Sequence, residues 1–542
     1  MLLVPFVVSS SCLPICQKSP NLRTLNVPLI GIDAYRELAD LVYRLRARCP
    51  DLTLLATSSV HPRNPIPEEH VRLLDRLAKP GQQQKRAPSY SLILQRWILC
   101  VLVAVWDTGV ILHIRLRYGR LLRQRRRTSA TVILKTWCFG PDSASGSSDF
   151  YYGALPGSLA ERGVKYLLLC GNVLARQEVR FAGKVLRWNE FNAVPEWALI
   201  PLWAPIVSAL RQLRTSMSLR RMSQSETDDK FALICAQACL DCAHPTTMRS
   251  VMHFYIAAAV GKYWDPKVYV TLYEGQPWEK LAWQGIKSAK PDCIVAGYQH
   301  TVVMRHALSL IHPRADSWEM SVPDLVLCLG DATRRMMQPS HEQAGSRLIV
   351  FGSHRRGATG KVSRPRPEKR KVLVVPEGNP KESKLLFDFA LRLAPLVSDH
   401  ELVFRCHPLL PFDDIRGQLA DDPARFVNVT VSTRPIAQDF ADSSVILYRG
   451  SSAVFYAVLE GLRPIYIRDG ELFDIDPLFE LEEWREYGNT QEEVMEILKR
   501  YSQKSAESLQ EEWRMAYDYV NSYTVPVSGA SVDRFLSAVG IA

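Results

Sequence analysis

Four short stretches carry side chains whose type and spacing suit group transfer on an anionic substrate. Val403-Phe-Arg-Cys-His-Pro408 reads as a strand with His407 at its carboxyl edge, where Pro408 stops the ladder. Further on, Tyr448-Arg-Gly-Ser-Ser-Ala453 reads as a strand end, a turn at Gly450, and a helix whose cap and first turn hold Ser451 and Ser452. Serines there satisfy free backbone N–H groups, and those groups with the positive helix end form a phosphate site. Thr271-Leu-Tyr-Glu-Gly275 places the carboxylate of Glu274 just past an apolar strand. Gly297-Tyr-Gln-His-Thr301 puts His300 past another strand, on the acceptor side of a cleft. Each stretch also has a plainer reading, a helix cap or a strand-end histidine. Their recurrence at strand edges is what singles them out.

The elements needed to position them are visible as short apolar runs. From about Ser129, strands are expected at 131–134, 166–170, 268–272, 293–296, 325–329 and 348–351, separated by helix-length stretches. Gly352–Arg370 is polar and aperiodic and reads as a linker. Strands are then expected at 371–376, 401–406, 427–431, 444–448 and 464–467, with helices at 383–397 and 452–461. Continuous apolar strands alternating with helices imply parallel sheets covered on both faces. The expected fold class is therefore α/β, with two doubly wound domains facing a cleft, where ligands bind at the carboxyl ends of the strands. The expected division is an N-terminal region 1–128, a first doubly wound domain 129–351, a linker 352–370 and a second doubly wound domain 371–542. Within 1–128, 33–48 reads as a helix, 52–57 as a strand, 80–88 as a linker, and the apolar start 1–16 as strand-like rather than a signal peptide.

Composition limits the rest. The 542 residues are 47% hydrophobic and 23% charged, which excludes a disordered or fibrous chain. The net charge of +11 points to an anionic partner, and it is local: seven arginines lie in Arg115–Arg127 with a single aromatic, Tyr118, among them, too few for the stacking on which single-stranded nucleic acid binding relies. Just before them, Trp97–Trp106 is uninterrupted apolar sequence. A spanning helix needs about 20 mostly apolar residues, and Asp107 inside one costs about 2.5–3.5 kcal/mol, so Trp97–Arg127 is read first as lying in an anionic interface, with a buried core helix ending in a solvated basic stretch and a true span as the alternatives. Ala198–Met222, where apolar residues alternate with arginines, raises the same question. Twelve scattered cysteines indicate reduced thiols in a cytosolic chain, and Cys235, Cys239 and Cys242 share one helical face and read as core rather than as a zinc site. No metal site is expected. Gly357-Ala-Thr-Gly-Lys361 is too short for a P-loop, and Asp474-Ile-Asp476 reads as surface acids.

His407-Pro408 followed by Ser451-Ser452 resembles the HP and SS motifs of bacterial CMP-sugar-dependent transferases: capsular polysialyltransferases, other bacterial sialyltransferases, and the Kdo transferases of capsule assembly. Residues 135–155, with Asp149-Phe-Tyr-Tyr-Gly153, and Gly297–Thr301 are similar to surface-carbohydrate proteins of O-antigen type. The resemblance covers about 130–525 and leaves out 1–128. It implies a GT-B architecture, CMP bound by His407, Pro408, Ser451 and Ser452, and a base at Glu274. Here Tyr-Glu-Gly stands where many relatives carry two acids before the glycine. Glu279 is then a substitute base or a helix N-terminal charge on the acceptor side, and Glu460 is placed to bond the nucleotide ribose. The function expected is glycosyl transfer in bacterial surface polysaccharide (lipopolysaccharide O-antigen or capsule) biosynthesis. The enzyme would be inverting and metal-independent, with the CMP-sugar as co-substrate and no other cofactor. It would be cytoplasmic and peripheral on the inner face of the membrane, with a glycan or lipid-linked glycan acceptor and no nucleic-acid partner. A CDP-glycerol-type phosphotransferase and a non-catalytic scaffold that kept the fold are the alternatives.

Overall fold

A computed structural model describes residues 32–58, 60, 87–141, 148–173, 177–305, 309–311, 322–356, 364–408, 410–468 and 474–541. The expected elements at 1–16 and across most of 80–88 lie outside the described residues, as does 357–363 of the linker.

Two parallel sheets carry the chain. The first has seven strands, β1 Val132–Cys138, β2 Tyr166–Asn172, β3 Ala193–Pro195, β4 Val268–Leu272, β5 Ile294–Tyr298, β6 Leu325–Cys328 and β7 Arg347–Val350, in the order β3-β2-β1-β4-β5-β6-β7. The second has six, β8 Lys371–Pro376, β9 Glu401–Phe404, β10 Val429–Val431, β11 Val445–Arg449, β12 Arg463–Ile467 and β13 Glu486–Gly488, in the order β10-β9-β8-β11-β12-β13. Counted within each half, both follow the doubly wound order 3-2-1-4-5-6, in which the direction of winding reverses between the first and fourth strands. That reversal opens a crevice at the carboxyl ends of β1 and β4 in one half and of β8 and β11 in the other. The central strands are almost wholly buried on both faces, so their apolar runs are continuous rather than alternating, while the edge strands Arg347–Val350 and Val429–Val431 are partly exposed.

The two halves are joined by more than the linker. Ser353 N–H donates to the Val525 carbonyl (2.7 Å), Val525 N–H to Leu329 (3.0 Å), and the Tyr523 hydroxyl accepts from Val303 N–H (2.7 Å). Arg356, buried, bonds the Thr524 carbonyl and Asn521. The last helix, Gly529–Ala538, returns to the first half, where Arg162 pairs with Asp533 at 2.7 Å. A single boundary near residue 370 therefore does not describe how residues 524–541 pack.

The N-terminal region departs from its reading in one place. Residues 52–55 form a helical turn, capped by Asp51 whose carboxylate accepts from Leu54 N–H at 3.2 Å, not a strand. The apolar segment extends further than expected, into one 37-residue helix, Tyr90–Arg126. Among the described helices it alone is long and apolar enough to cross a membrane by length and composition. Cys235, Cys239 and Cys242 lie buried in the helix Asp229–Cys242, and burial pushes their thiols well above the usual range.

Candidate active site

The first crevice holds a carboxylate–imidazole pair. Beyond β4 the backbone turns at Gly275, whose φ of +80° only glycine adopts without strain. The turn is clamped by Glu279, the first-turn acid of the helix Pro277–Ala289. Its two carboxylate oxygens accept the N–H groups of Glu274 (3.0 Å) and Gly275 (2.9 Å). Glu274 thereby projects toward His300, and its Oε1 stands 3.0 Å from His300 Nε2 while Oε2 accepts from Gln276 (3.1 Å). The His300 loop is fixed from below by buried Gln299, which donates to the Thr301 carbonyl (2.8 Å) and accepts from Leu329 N–H (3.1 Å). The Glu274 side chain keeps 29% of its surface, enough to reach a bound hydroxyl. Burial alone would raise its carboxyl, but the His300 imidazole, with Gln276 and the nearby charge of Arg355, holds it below the usual range. It is ionised at neutral pH.

Glu279 is corrected by this geometry. It is fully buried, so it faces no acceptor; burial, then the charge of Glu274, push it up to about 8. Its work is to hold the turn that aims Glu274.

The Asp149-Phe-Tyr-Tyr-Gly153 stretch completes this wall. Asp149 is buried, accepts from the N–H groups of Tyr151 (2.9 Å) and Tyr152 (2.8 Å), and is held by the Thr136 hydroxyl (2.8 Å). The turn sets Tyr151 edge-on to His300, ring centroids 5.0 Å apart. Over the same turn lies Arg355, its guanidinium 4.9 Å from the Phe150 ring and 5.6 Å from that of Tyr151. Arg355 is exposed, and its charge acts on Glu274 in the first half and on Tyr456 and His407 in the second. It thus marks where the two halves face each other. It sits in the segment read from sequence as linker. The available signal was a basic pair, Arg355-Arg356, just beyond the carboxyl end of a strand.

In the second crevice, β8 stands between β9 and β11, so His407 and Ser451 are two strand positions apart, about 10 Å at ordinary sheet spacing, rather than on neighbouring strands. The gap is filled by the exit from β8: a Cβ on Gly378 would lie 2.9 Å from His407 Nδ1, and one on Gly450 (φ +63°) would lie 2.6 Å from Glu377 Oε2. His407, Glu377-Gly378 and Gly450-Ser451 therefore form one continuous rim. His407 is half-buried, and burial, then the positive charge of Arg355, lowers its pKa, so at neutral pH the imidazole is a neutral hydrogen-bonding group. Pro408 is exposed in the turn that follows, where Leu410 N–H closes on the His407 carbonyl at 2.9 Å.

The helix start differs from its reading. The helix is Ala453–Leu459, seven residues; Ser451 is buried with its hydroxyl 3.4 Å from Ala453 N, and Ser452 is exposed and makes no capping bond. Val454 and Phe455 N–H groups already bond the Ser451 and Ser452 carbonyls (3.3 Å each). Little remains of the expected backbone cradle, and the group offered to a ligand is the Ser452 hydroxyl. Glu460 does not join the rim. It lies at the opposite end of that helix, where its carbonyl accepts from Arg366 (2.8 Å) on the approach to β8. Asp474 and Asp476 are not surface acids: both are buried, and Asp476 is taken up by the Tyr448 hydroxyl (2.7 Å) and Arg485 (2.9 Å).

Two doubly wound domains with facing strand ends define an α/β architecture of GT-B type. No protein-family model matches the chain, and no curated protein matches it in sequence. Solved structures resemble it in outline. UDP-GlcNAc 2-epimerase from Methanocaldococcus jannaschii is 9% identical over 76% of this chain and 100% of its own, at a TM-score of 0.41. The calicheamicin glycosyltransferase CalG4 is 14% identical over 76% and 99%, at 0.42. The glycosyltransferase SnogD from Streptomyces nogalater is 14% identical over 76% and 100%, at 0.34.

Proposed function

We propose that the protein is a glycosyltransferase that moves a sugar from a nucleotide donor, a CMP-sugar, to a glycan acceptor in surface-polysaccharide assembly. The observation that carries this reading is the Glu274–His300 pair, 3.0 Å apart at the winding reversal of the first sheet. Across from it lies a rim of His407, Glu377-Gly378 and Ser451-Ser452 at the reversal of the second. Glu274, ionised and partly exposed, takes the acceptor hydroxyl proton as that oxygen attacks the anomeric carbon from the face opposite the nucleotide, which inverts the configuration. The bond to the leaving phosphate breaks as the new one forms. Charge growing on that phosphate is met by the neutral His407 imidazole and the Ser452 hydroxyl as hydrogen-bond donors and by Arg355 as the cation. With that cation in place the reaction is expected to proceed in excess chelator.

The acceptor is a glycan carried on lipid at the inner face of the cytoplasmic membrane, in keeping with the apolar, arginine-rich helix. The test is a thermal-shift panel of CMP, CDP and UDP on wild-type and His407→Ala protein. Stabilisation by CMP that the variant loses supports the reading. Stabilisation by CDP alone favours a CDP-glycerol-type donor, and none by any nucleotide overturns it.

A further inference from the structure

The helix Tyr90–Arg126 is apolar on two faces. One face, Ile93, Cys100, Ala104, Asp107, Ile111, Ile114, Tyr118 and Leu122, is buried against the first half. The other is a stripe at helical spacing: Leu94 (49% exposed), Ile98 (47%), Leu102 (60%), Val105 (59%), Leu112 (43%) and Leu116 (78%), with Trp106 at 67% beside it. From Leu94 to Leu116 the stripe runs about 33 Å. The helix Ala204–Ser225 lies antiparallel to it. Trp97 donates to the Ala209 carbonyl (2.8 Å), Arg115 to that of Ile200 (2.6 Å), and the Arg220 guanidinium stands 3.4 Å from the Tyr90 ring. Its own exposed apolar residues, Ile206, Val207 and Leu210, with Trp203 just before it, widen the same face.

Asp107 decides the orientation. It is 2% exposed and turned inward to Arg249 (3.4 Å), away from the stripe. The helix is also tied at its far end, where Arg125 donates to the Trp188 carbonyl at 3.0 Å. A helix held along its length by one side cannot be surrounded by lipid.

Charge identifies the occupant. Beyond the stripe stand exposed Arg117, Arg120, Arg123 and Arg127, and at the other end of the pair exposed Arg214 and Arg221. The first helix has one carboxylate, buried Asp107, and the second has none. An apolar centre flanked by arginines at both ends fits an anionic bilayer surface, since each basic residue near one contributes about 1 kcal/mol.

We infer that this two-helix face seats the first, acceptor-binding half flat on an anionic lipid surface without crossing it, while the second half stays in water. This deepens the proposed function and rests on it only for the lipid-borne acceptor. The test is co-sedimentation of the full-length protein with phosphatidylcholine vesicles with and without added phosphatidylglycerol, whose negative charge supplies the surface potential that attracts basic segments. The expected result is binding to the anionic vesicles, at least tenfold weaker for Leu102→Glu/Trp106→Glu/Leu210→Glu, weakened by Arg120→Glu/Arg123→Glu, and released by alkaline carbonate. Unchanged sedimentation of the triple variant overturns the inference, as does resistance to carbonate, which means a span. A wild-type dimer in light scattering that the triple variant converts to monomer also overturns it, because the face then belongs to a second copy. Thermal melts of the same variants without ligand show that they are folded. CMP shifts on the wild-type protein separate the two claims: vesicle binding without a CMP shift removes the donor reading and leaves the surface.

Discussion

The Glu274–His300 pair works because each partner is held by something else. The lowered carboxyl leaves Glu274 ionised through the neutral range, so the acid limb of kcat/KM falls below the ordinary glutamate range. Removing the imidazole in His300→Ala moves that limb upward, which a pH–rate profile reads directly. Glu274→Gln is expected to lower kcat by about 10²–10⁴ while CMP affinity stays within about twofold, since in the proposed reaction the group acts only on the acceptor hydroxyl. A silent Glu274→Gln would instead mark a scaffold that kept the fold. Arg355 and His407 are coupled by like charge. Arg355→Ala is therefore predicted to raise the His407 pKa toward the usual histidine value, followed by proton NMR of the imidazole, while CMP binding weakens and cytidine binding does not.

Glu279 gives the pH dependence of stability a definite sign. Its folded-state pKa is raised to about 8, so between the ordinary glutamate pKa and about 8 the unfolded chain has released a proton that the native state keeps. Stability falls as pH rises through that window, with a slope on the order of 1 kcal/mol per pH unit from this one group. Glu279→Gln flattens that slope in urea melts taken from pH 5 to 8, a window set by that raised value.

At the scale of elements, glycine turns decide where the chemistry points. Gly450→Ala both strains a φ of +63° and drives Cβ to 2.6 Å from Glu377. It is expected to cost about 1–2 kcal/mol of stability and to weaken CMP binding by displacing the rim. Most of this frame was legible in the sequence. The strands 268–272 and 371–376 were anticipated to the residue, because buried parallel strands are continuous apolar runs bounded by turn residues. Ala193–Pro195 and Glu486–Gly488 were missed, being three residues each and polar or proline-ended, with no run to detect. Leu52–Leu55 has the apolar texture of a strand, but the Asp51 cap makes it helical. The carboxylate and both histidines were legible from strand-edge position. Arg355 was not, because its place depends on how far apart two sheets stand, which no local pattern records. Glu460 was misplaced for the matching reason: a seven-residue helix ends about 10 Å from where it starts, on the wrong side of the sheet.

The whole molecule separates three jobs in space. In the proposed reaction the first half would bind the acceptor; it presents the apolar face, the second half carries the rim of His407, Glu377-Gly378 and Ser451-Ser452, and Arg355 stands in the chain that crosses between them. The C-terminal return, through Tyr523, Arg356 and the helix Gly529–Ala538, ties the two halves together. The central claim is that this rim receives a cytidine nucleotide through its phosphate, and calorimetric titration of CMP and of cytidine into wild-type, His407→Ala and Ser452→Ala protein tests it. The account predicts that wild type binds CMP more tightly than cytidine, and that each substitution lowers affinity for CMP alone. Equal affinity of all three proteins for CMP, or no preference for CMP over cytidine, would contradict it.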